Sequence, residues 1–181
     1  LIESWGYTVV LISATDSQAN FDAAAATARA AYVSEEITST DLGTKLRDTT
    51  IGVLNDEDAL SDEFGFSTTL VSHPSDTIDI TDNTHYITSP FGLGALTITT
   101  SSQPLHTLSG TLAPGGDILS EQPASSNATL MAIDIGGILG VFGAAINYLI
   151  IRTRKQSQQY KTEEWWRLQQ TIGKLLQSYA D

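Results

Sequence analysis

The chain has 181 residues, of which 41% are hydrophobic, so it is long and apolar enough to bury the core of one globular domain. It contains no cysteine, which excludes disulfide bonds, thiolate metal ligands and cysteine nucleophiles. The formal net charge of -12 excludes nucleic acid as an expected partner, because phosphate binding requires a basic surface. The charge is uneven, since residues 1–150 contain 3 basic and 18 acidic side chains and residues 151–181 contain 6 basic and 3 acidic ones.

The first 66 residues alternate apolar runs with helix-forming or turn-forming segments. The run "YTVVLISA" is apolar and β-branched, and this character recurs twice, which predicts strands at 7–14, 30–37 and 49–56. The sequence also predicts an alanine-rich helix at 15–30, a short helix or turn at 38–48 and a short acidic helix at 57–66. Strands that alternate with helices indicate a parallel sheet covered on both faces.

Residues 67–134 have a different composition. They are rich in Ser, Thr, Asp and Gly and contain short alternating segments such as "TIDIT", "THYIT", "ALTITT" and "ATLMAID". Such segments predict short strands and turns, some extending the sheet and others forming an antiparallel flap.

The stretch 135–151 has two interpretations. Its seventeen residues include one polar side chain, Asn147, and Arg152 begins a basic flank, which fits a membrane span with a positive stop. Its four glycines, and a length below the roughly 20 residues that a span needs, favour a strand that ends in a glycine turn at 128–137, a small-residue turn at 140–145 and a second, buried strand at 146–154. We favour the strand interpretation, and a membrane-anchored module with a span at 135–151 remains the alternative.

The last twenty residues predict an amphipathic helix. Thr162 can cap its start, and Lys174 suits the negative end of the helix dipole. Five apolar residues recur at steps of three and four and would form one apolar stripe on such a helix: Trp165, Leu168, Ile172, Leu175 and Tyr179. We expect this helix to pack on the sheet, and the alternative is a helix that binds a membrane surface or a partner.

Several stretches resemble a known family. The segments "GYTVVLIS", "YVSEE", "LGTKLRDTTIGVLNDE", "EFGF" and "DNTHYITSPFGLGALTI" resemble the ThuA-like branch of the class I glutamine amidotransferase-like fold, which occurs as a module in large bacterial surface proteins. The final "TEEWWRLQQTIGKLL" resembles the closing helix of that module. The resemblance implies a single α/β domain over 1–181 that lacks the first strand of the family. It implies a three-layer, mainly parallel flavodoxin-like sheet with an antiparallel extension and a C-terminal amphipathic helix.

The catalytic residues of that family have no counterparts in this sequence. An active amidotransferase carries Gly-x-Cys-x-Gly after the strand that matches 49–54, and the matching "GVLNDED" has Asn55 or Asp56 at the nucleophile position. The His-x-Glu partner is absent from "IIRTRKQSQQY". Transfer of ammonia from glutamine therefore lacks both a nucleophile and a base. The resemblance implies a fold and not that reaction.

Two predicted strand ends carry side chains with oxygen atoms, at the edge where open α/β sheets bind ligands. They are Ser34, Glu35 and Glu36 after one strand, and Asn55, Asp56 and Glu57 after the next. This predicted crevice suits a hard cation such as Ca²⁺ or Mg²⁺, and two of its carboxylates suit acid–base catalysis. More often, acidic residues at strand ends are solvated and cap helices. No other cofactor is predicted.

Histidine offers weaker candidates. Asp82 and His85 are three residues apart in "DNTHYIT", a spacing that suits a base or a ligand, but more often the aspartate forms a turn and the histidine packs at a strand end. His73 and His106 have neither HxH nor HExxH spacing, so a zinc site is not predicted.

These observations lead to three function hypotheses. The first is a non-catalytic interaction or structural module of an extracellular or cell-surface protein, with protein or carbohydrate as its partner. The second is a carbohydrate-active hydrolase that uses Glu35, Glu36 or Asp82. The third is the membrane-anchored module. We favour the first, because the nucleophile of the resembled family is missing and the surface is acidic and rich in Ser and Thr.

Overall fold

The computed structural model describes residues 3, 7–133, 138–139, 143–144 and 148–151. Within this part of the chain the helices are α1 (Gln18–Ala25), α2 (Ser39–Leu42) and a 3-10 helix at Asp58–Leu60. The strands are β1 (Ala30–Val33), β2 (Gly52–Asn55), β3 (Ser67–Ser75), β4 (Thr77–Ile80), β5 (Gly94–Thr97), β6 (Gln103–Leu112), β7 (Asp117–Glu121), β8 (Ala128–Ile133), β9 (Ile138–Leu139), β10 (Gly143–Ala144) and β11 (Tyr148–Ile151). The predicted C-terminal helix lies outside the described residues.

Nine of these strands form one mixed sheet. Its main path runs β1-β2-β11-β8-β7-β4-β5, and a two-stranded ribbon of β3 and β6 joins it where β6 pairs with β8. The β1–β2 and β2–β11 pairs are parallel, whereas the other pairs in this sheet are antiparallel. β9 and β10 form a separate short antiparallel pair.

The prediction of a three-layer, mainly parallel flavodoxin-like sheet is therefore wrong. Antiparallel strands dominate the described sheet, and its helices are short, at 8 residues for α1 and 4 for α2. A parallel connection needs a crossover of a dozen or more residues, usually a helix. Only one residue separates β3 from β4, and six separate β7 from β8, so these connections leave no room for crossover helices.

Most of the early elements were predicted at the right places, with one exception. α1, β1, α2 and β2 each lie inside the predicted range, and the side chain of Ser17 caps α1 by accepting from the Asn20 backbone N–H at 3.3 Å. The strand predicted at 7–14 is wrong, because residues 7–13 have no strand conformation and residue 14 lies in a turn. β-Branched residues favour strands only where a neighbouring strand and a core face are available, and here Leu11 is 92% exposed.

The sheet separates two apolar clusters. Adjacent residues of one strand point to opposite faces, so Val53 lies in the first cluster and Leu54 in the second. The first core cluster also contains Phe21, Leu60, Phe64, Phe66, Leu108 and Met131. The second contains Ile78, Ile80, Ile87, Phe91, Leu105, Leu119 and Leu130.

The stretch 135–151 contains strand structure where it is described. β11 pairs with β2 on one side and with β8 on the other. The predicted strands on either side of the small-residue turn are thus confirmed at Ala128–Ile133 and Tyr148–Ile151. Among the residues that the structure describes, no helix is long and apolar enough to cross a membrane.

Candidate functional site

The predicted crevice residues lie at one edge of the sheet. β1 and β2 are neighbouring parallel strands with Val33 opposite Asn55, so the segments that follow both strands emerge on the same side. The backbone N–H of Asp56 donates to the carbonyl of Val33 at 2.9 Å and holds the two segments together. We call this edge, made of residues 34–36 and 55–57, the strand-end edge.

Asn55 and Glu57 hold the turn after β2. The fully buried Asn55 donates from Nδ2 to the Glu57 carbonyl at 2.8 Å, and its Oδ1 accepts from the Glu57 N–H at 3.2 Å. The Glu57 carboxylate in turn accepts from the backbone N–H of Ala59 at 3.2 Å, so that it caps the 3-10 helix Asp58–Leu60. Both side chains therefore satisfy backbone groups at a strand end, as a helix cap does.

Asp56 forms a hydrogen bond with Tyr32, a residue that the sequence analysis did not predict to be part of a site. Its carboxylate accepts a hydrogen bond from the Tyr32 hydroxyl at 3.0 Å, and only 2% of Asp56 is exposed. Burial raises the pKa of the Tyr32 hydroxyl far above its ordinary value, and the negative charge of Asp56, its hydrogen bond and the charge of Glu35 add to the shift. The residue as a whole is 43% exposed, but its hydroxyl end points toward the buried carboxylate. The phenol thus remains a proton donor at neutral pH.

The β1 side of the strand-end edge is more open. Ser34 forms a local turn, because its Oγ accepts from the Glu36 N–H at 3.2 Å and its carbonyl accepts from the Ile37 N–H at 3.3 Å. Glu36 is exposed and Glu35 is half-buried. The edge is therefore divided into a buried, hydrogen-bonded half after β2 and a more accessible acidic half after β1.

A second ionisable pair lies next to this edge. His106 of β6 contacts Asp58, the first residue of the 3-10 helix, through Nδ1 and Oδ2, and both side chains are largely buried. Forty-eight positions separate the two residues, so no local spacing in the sequence could have revealed the pair. Ser72 lies opposite His106 in the β3–β6 pairing. The pair joins the β3–β6 ribbon to the parallel corner of the sheet, by which we mean the parallel strands β1, β2 and β11.

Asp82 and His85 lie in a turn after β4 and not at the strand-end edge. Asp82 Oδ1 accepts from the N–H and from the hydroxyl of Thr84, both at 2.7 Å, and the hydroxyl bond is the largest cause that lowers the pKa of this carboxyl. His85 Nδ1 accepts from the Ile87 N–H at 3.3 Å. Both side chains thus form local turn contacts, which is the turn interpretation of "DNTHYIT".

Metal binding and histidine chemistry find little support in this part of the chain. Within residues 7–133 and the short described strands after them, no group of three or more His, Asp or Glu side chains is arranged to hold a metal ion. His73 faces the same side of the sheet as Leu105 of the second core cluster, and desolvation lowers its pKa. A neutral histidine beside an apolar cluster fits a packing role.

Acid–base catalysis would require two carboxylates that both face a substrate. Glycoside hydrolysis uses pairs about 5–10 Å apart on either side of the reacting bond. At the strand-end edge Asp56 is committed to Tyr32 and Glu57 to the cap of the 3-10 helix, while Glu35 and Glu36 are adjacent in sequence. The geometry therefore suits the stabilisation of a turn better than the cleavage of a bond.

Comparison of the chain with protein-family models, with curated proteins and with solved structures finds no match. The ThuA-like resemblance stays a prediction.

Proposed function

We propose that this chain is a non-catalytic structural or interaction module of an extracellular or cell-surface protein. One observation carries the proposal: the residues at the nucleophile position of the resembled family, Asn55 and Asp56, are buried and bonded to the protein itself. A reactive group must reach its substrate, and these side chains reach Tyr32 and the Glu57 backbone instead.

The charge and composition of the chain support an interaction module. Twenty-one acidic and nine basic residues give a strong negative charge, which favours solubility and discourages self-association. The Ser-rich and Thr-rich segment 67–134 supplies polar side chains for recognition of protein or carbohydrate.

A hydrolase is the second candidate, and the accessible half of the strand-end edge is the observation that favours it. Assay of the chain on a panel of aryl glycosides and oligosaccharides tests the choice. We expect no saturable turnover from the wild type. Turnover that disappears in Glu35→Gln but persists in the control Glu121→Gln, a change in β7, would establish the hydrolase and reject the non-catalytic module.

Calcium or magnesium at the strand-end edge is a separate alternative. A ligand that binds only the folded state raises the melting temperature. We expect millimolar CaCl₂ to leave the melting temperature unchanged, because the oxygens of Asn55 and Glu57 already accept backbone N–H groups. A rise that Glu35→Gln abolishes and KCl does not reproduce would place a cation there.

A further inference from the structure

The segment Thr8–Ile12 exposes adjacent large apolar side chains. Val10 is 72% exposed and Leu11 is 92% exposed, more than any other large apolar side chain of the described residues. Ile12 and Ala14 pack against the first core cluster, so the segment lies on the protein body. No described strand pairs with it. Single exposed apolar side chains are ordinary, whereas neighbouring ones on a β-branched segment that pairs with no described strand are typical of a contact site.

We propose that the apolar stripe of the C-terminal segment, from Trp165 to Tyr179, covers Val10 and Leu11. Its five apolar residues recur at intervals of three and four, so they share one side if the segment forms the predicted helix. The C-terminal segment is also the basic part of the chain. Residues 151–181 carry a net charge of +3 against -15 for residues 1–150, so attraction between opposite charges favours docking onto the body.

The length of the connecting chain permits this contact. β11 ends at Ile151 and is two strands away from β1, which is roughly 10 Å at the usual strand spacing. The thirteen residues 152–164 can span up to about 40 Å when extended. Ile12 packs in the same cluster as Val33 of β1 and Val53 of β2, so the exposed segment lies within this reach.

A second copy of the chain fits the exposed segment less well. A stable association between proteins buries roughly 800 Å² on each partner, far more than two side chains can supply. A tethered segment needs less contact area because its effective concentration reaches the millimolar range. The size of the surface therefore favours an occupant from the same chain.

The absence of cysteine allows a direct test with introduced pairs. Leu11→Cys is combined in the full chain with Leu168→Cys, Ile172→Cys or Leu175→Cys, and each pair is oxidised at low protein concentration. We expect at least one pair to form an intramolecular disulfide about tenfold faster than its matched control with Leu93→Cys. Leu93 is a suitable control because it is 64% exposed and precedes β5, at the other end of the strand order.

Other results overturn the proposal. Disulfides that form between chains and increase with concentration would assign the surface to a second copy, and equal rates for Leu11 and Leu93 pairs would remove any specific contact. A double-mutant cycle, read out as melting temperature, tests the contact even if no cysteine pair has the geometry of a disulfide. If the contact exists, Leu11→Ser lowers the melting temperature in the wild type and has no effect in the Leu168→Ser background. Additive effects contradict it.

Discussion

At the scale of single residues, the strand-end edge is held by side chains that replace missing backbone partners. Asn55 bonds both the N–H and the C=O of Glu57, and Glu57 bonds the N–H of Ala59. A buried backbone group without a partner is expensive, so these two residues stabilise the turn between β2 and the 3-10 helix. The non-catalytic proposal thus predicts that their substitution lowers stability.

Asn55→Ala tests this role. The change removes the partner of the buried Glu57 N–H, whereas the Glu57 carbonyl keeps the backbone N–H of Leu60 at 3.4 Å, and we expect a loss of about 2 kcal/mol in the free energy of unfolding. Urea unfolding measures the loss. Asn20→Ala, on the exposed surface of α1, is the matched control and is expected to change stability by less than about 0.5 kcal/mol. Equal effects for the two variants would contradict the structural role.

Tyr32→Phe tests the hydrogen bond to Asp56 through its dependence on pH. The folded pKa of Tyr32 lies above the unfolded value near 10, so the unfolded chain releases this proton first as pH rises. The contribution is therefore complete below about pH 10 and is lost as pH rises toward the folded pKa. At neutral pH we expect Tyr32→Phe to cost about 1 kcal/mol, since the residue is partly exposed.

The same variant should also lose less of its free energy of unfolding than the wild type as pH rises above 8. Urea unfolding at pH 8 and at pH 10.5 is expected to show a larger drop for the wild type than for Tyr32→Phe. A double-mutant cycle with Asp56→Asn isolates the pair from the other tyrosines. Parallel pH profiles for wild type and variant would show that Tyr32 titrates as it does in the unfolded chain.

At the scale of elements, the β3–β6 ribbon depends on one glycine. Gly110 has φ +71°, and a Cβ added there would lie 2.6 Å from Thr68 Oγ1 and 2.9 Å from Thr69 Oγ1. Thr68 sits where the register of β3 shifts between Ser67 and Thr69, which marks a β-bulge. The conformation and the space at this position both require glycine.

Gly110→Ala should therefore destabilise the ribbon by roughly 2 kcal/mol, through backbone strain and the close contacts with two threonines. The matched control is Gly92→Ala, since an added Cβ there meets no atom within 4 Å and the φ of Gly92 is not in the left-handed region. Thermal unfolding followed by circular dichroism compares the two variants. A control that falls as far as Gly110→Ala would point to a general effect of losing glycine.

At the scale of the whole molecule, β11 joins the parallel corner to the antiparallel remainder of the sheet. Its backbone pairs Leu149 with Leu54 of β2 and with Ala132 of β8. A strand with partners on both sides does not accept proline, which lacks the N–H and blocks the ladder. We therefore expect the backbone of β11 to be required for the pairing with β2 and for the pairing with β8.

Leu149→Pro is expected to unfold the domain, with a loss of more than about 3 kcal/mol. The membrane-span alternative for 135–151 expects a milder effect, because transmembrane helices tolerate proline. Thr8→Pro is the control. Because residues 7–14 form no strand, proline at Thr8 should cost little stability. Measurement of soluble yield and near-ultraviolet circular dichroism distinguishes the outcomes. A folded Leu149→Pro variant would contradict the central place of β11.

The amino-acid sequence alone determined much of the local structure. Alanine content and a serine cap located α1, and apolar β-branched runs located β1, β2 and β8. These features depend on neighbours within a few residues, which the sequence displays directly. The absence of a cysteine nucleophile was equally plain.

Only the tertiary structure decided the pairing of distant segments. The alternating segments of 67–134 predicted an antiparallel part, but β-branched composition is the same in a parallel and in an antiparallel strand, so the sequence could not show which strands pair or that residues 7–14 remain outside the sheet. Likewise His106 meets Asp58, and Tyr32 meets Asp56, because the sheet brings together residues far apart in the chain. Such contacts carry no signature in local spacing, since the free energy that selects them comes from burial across the whole fold.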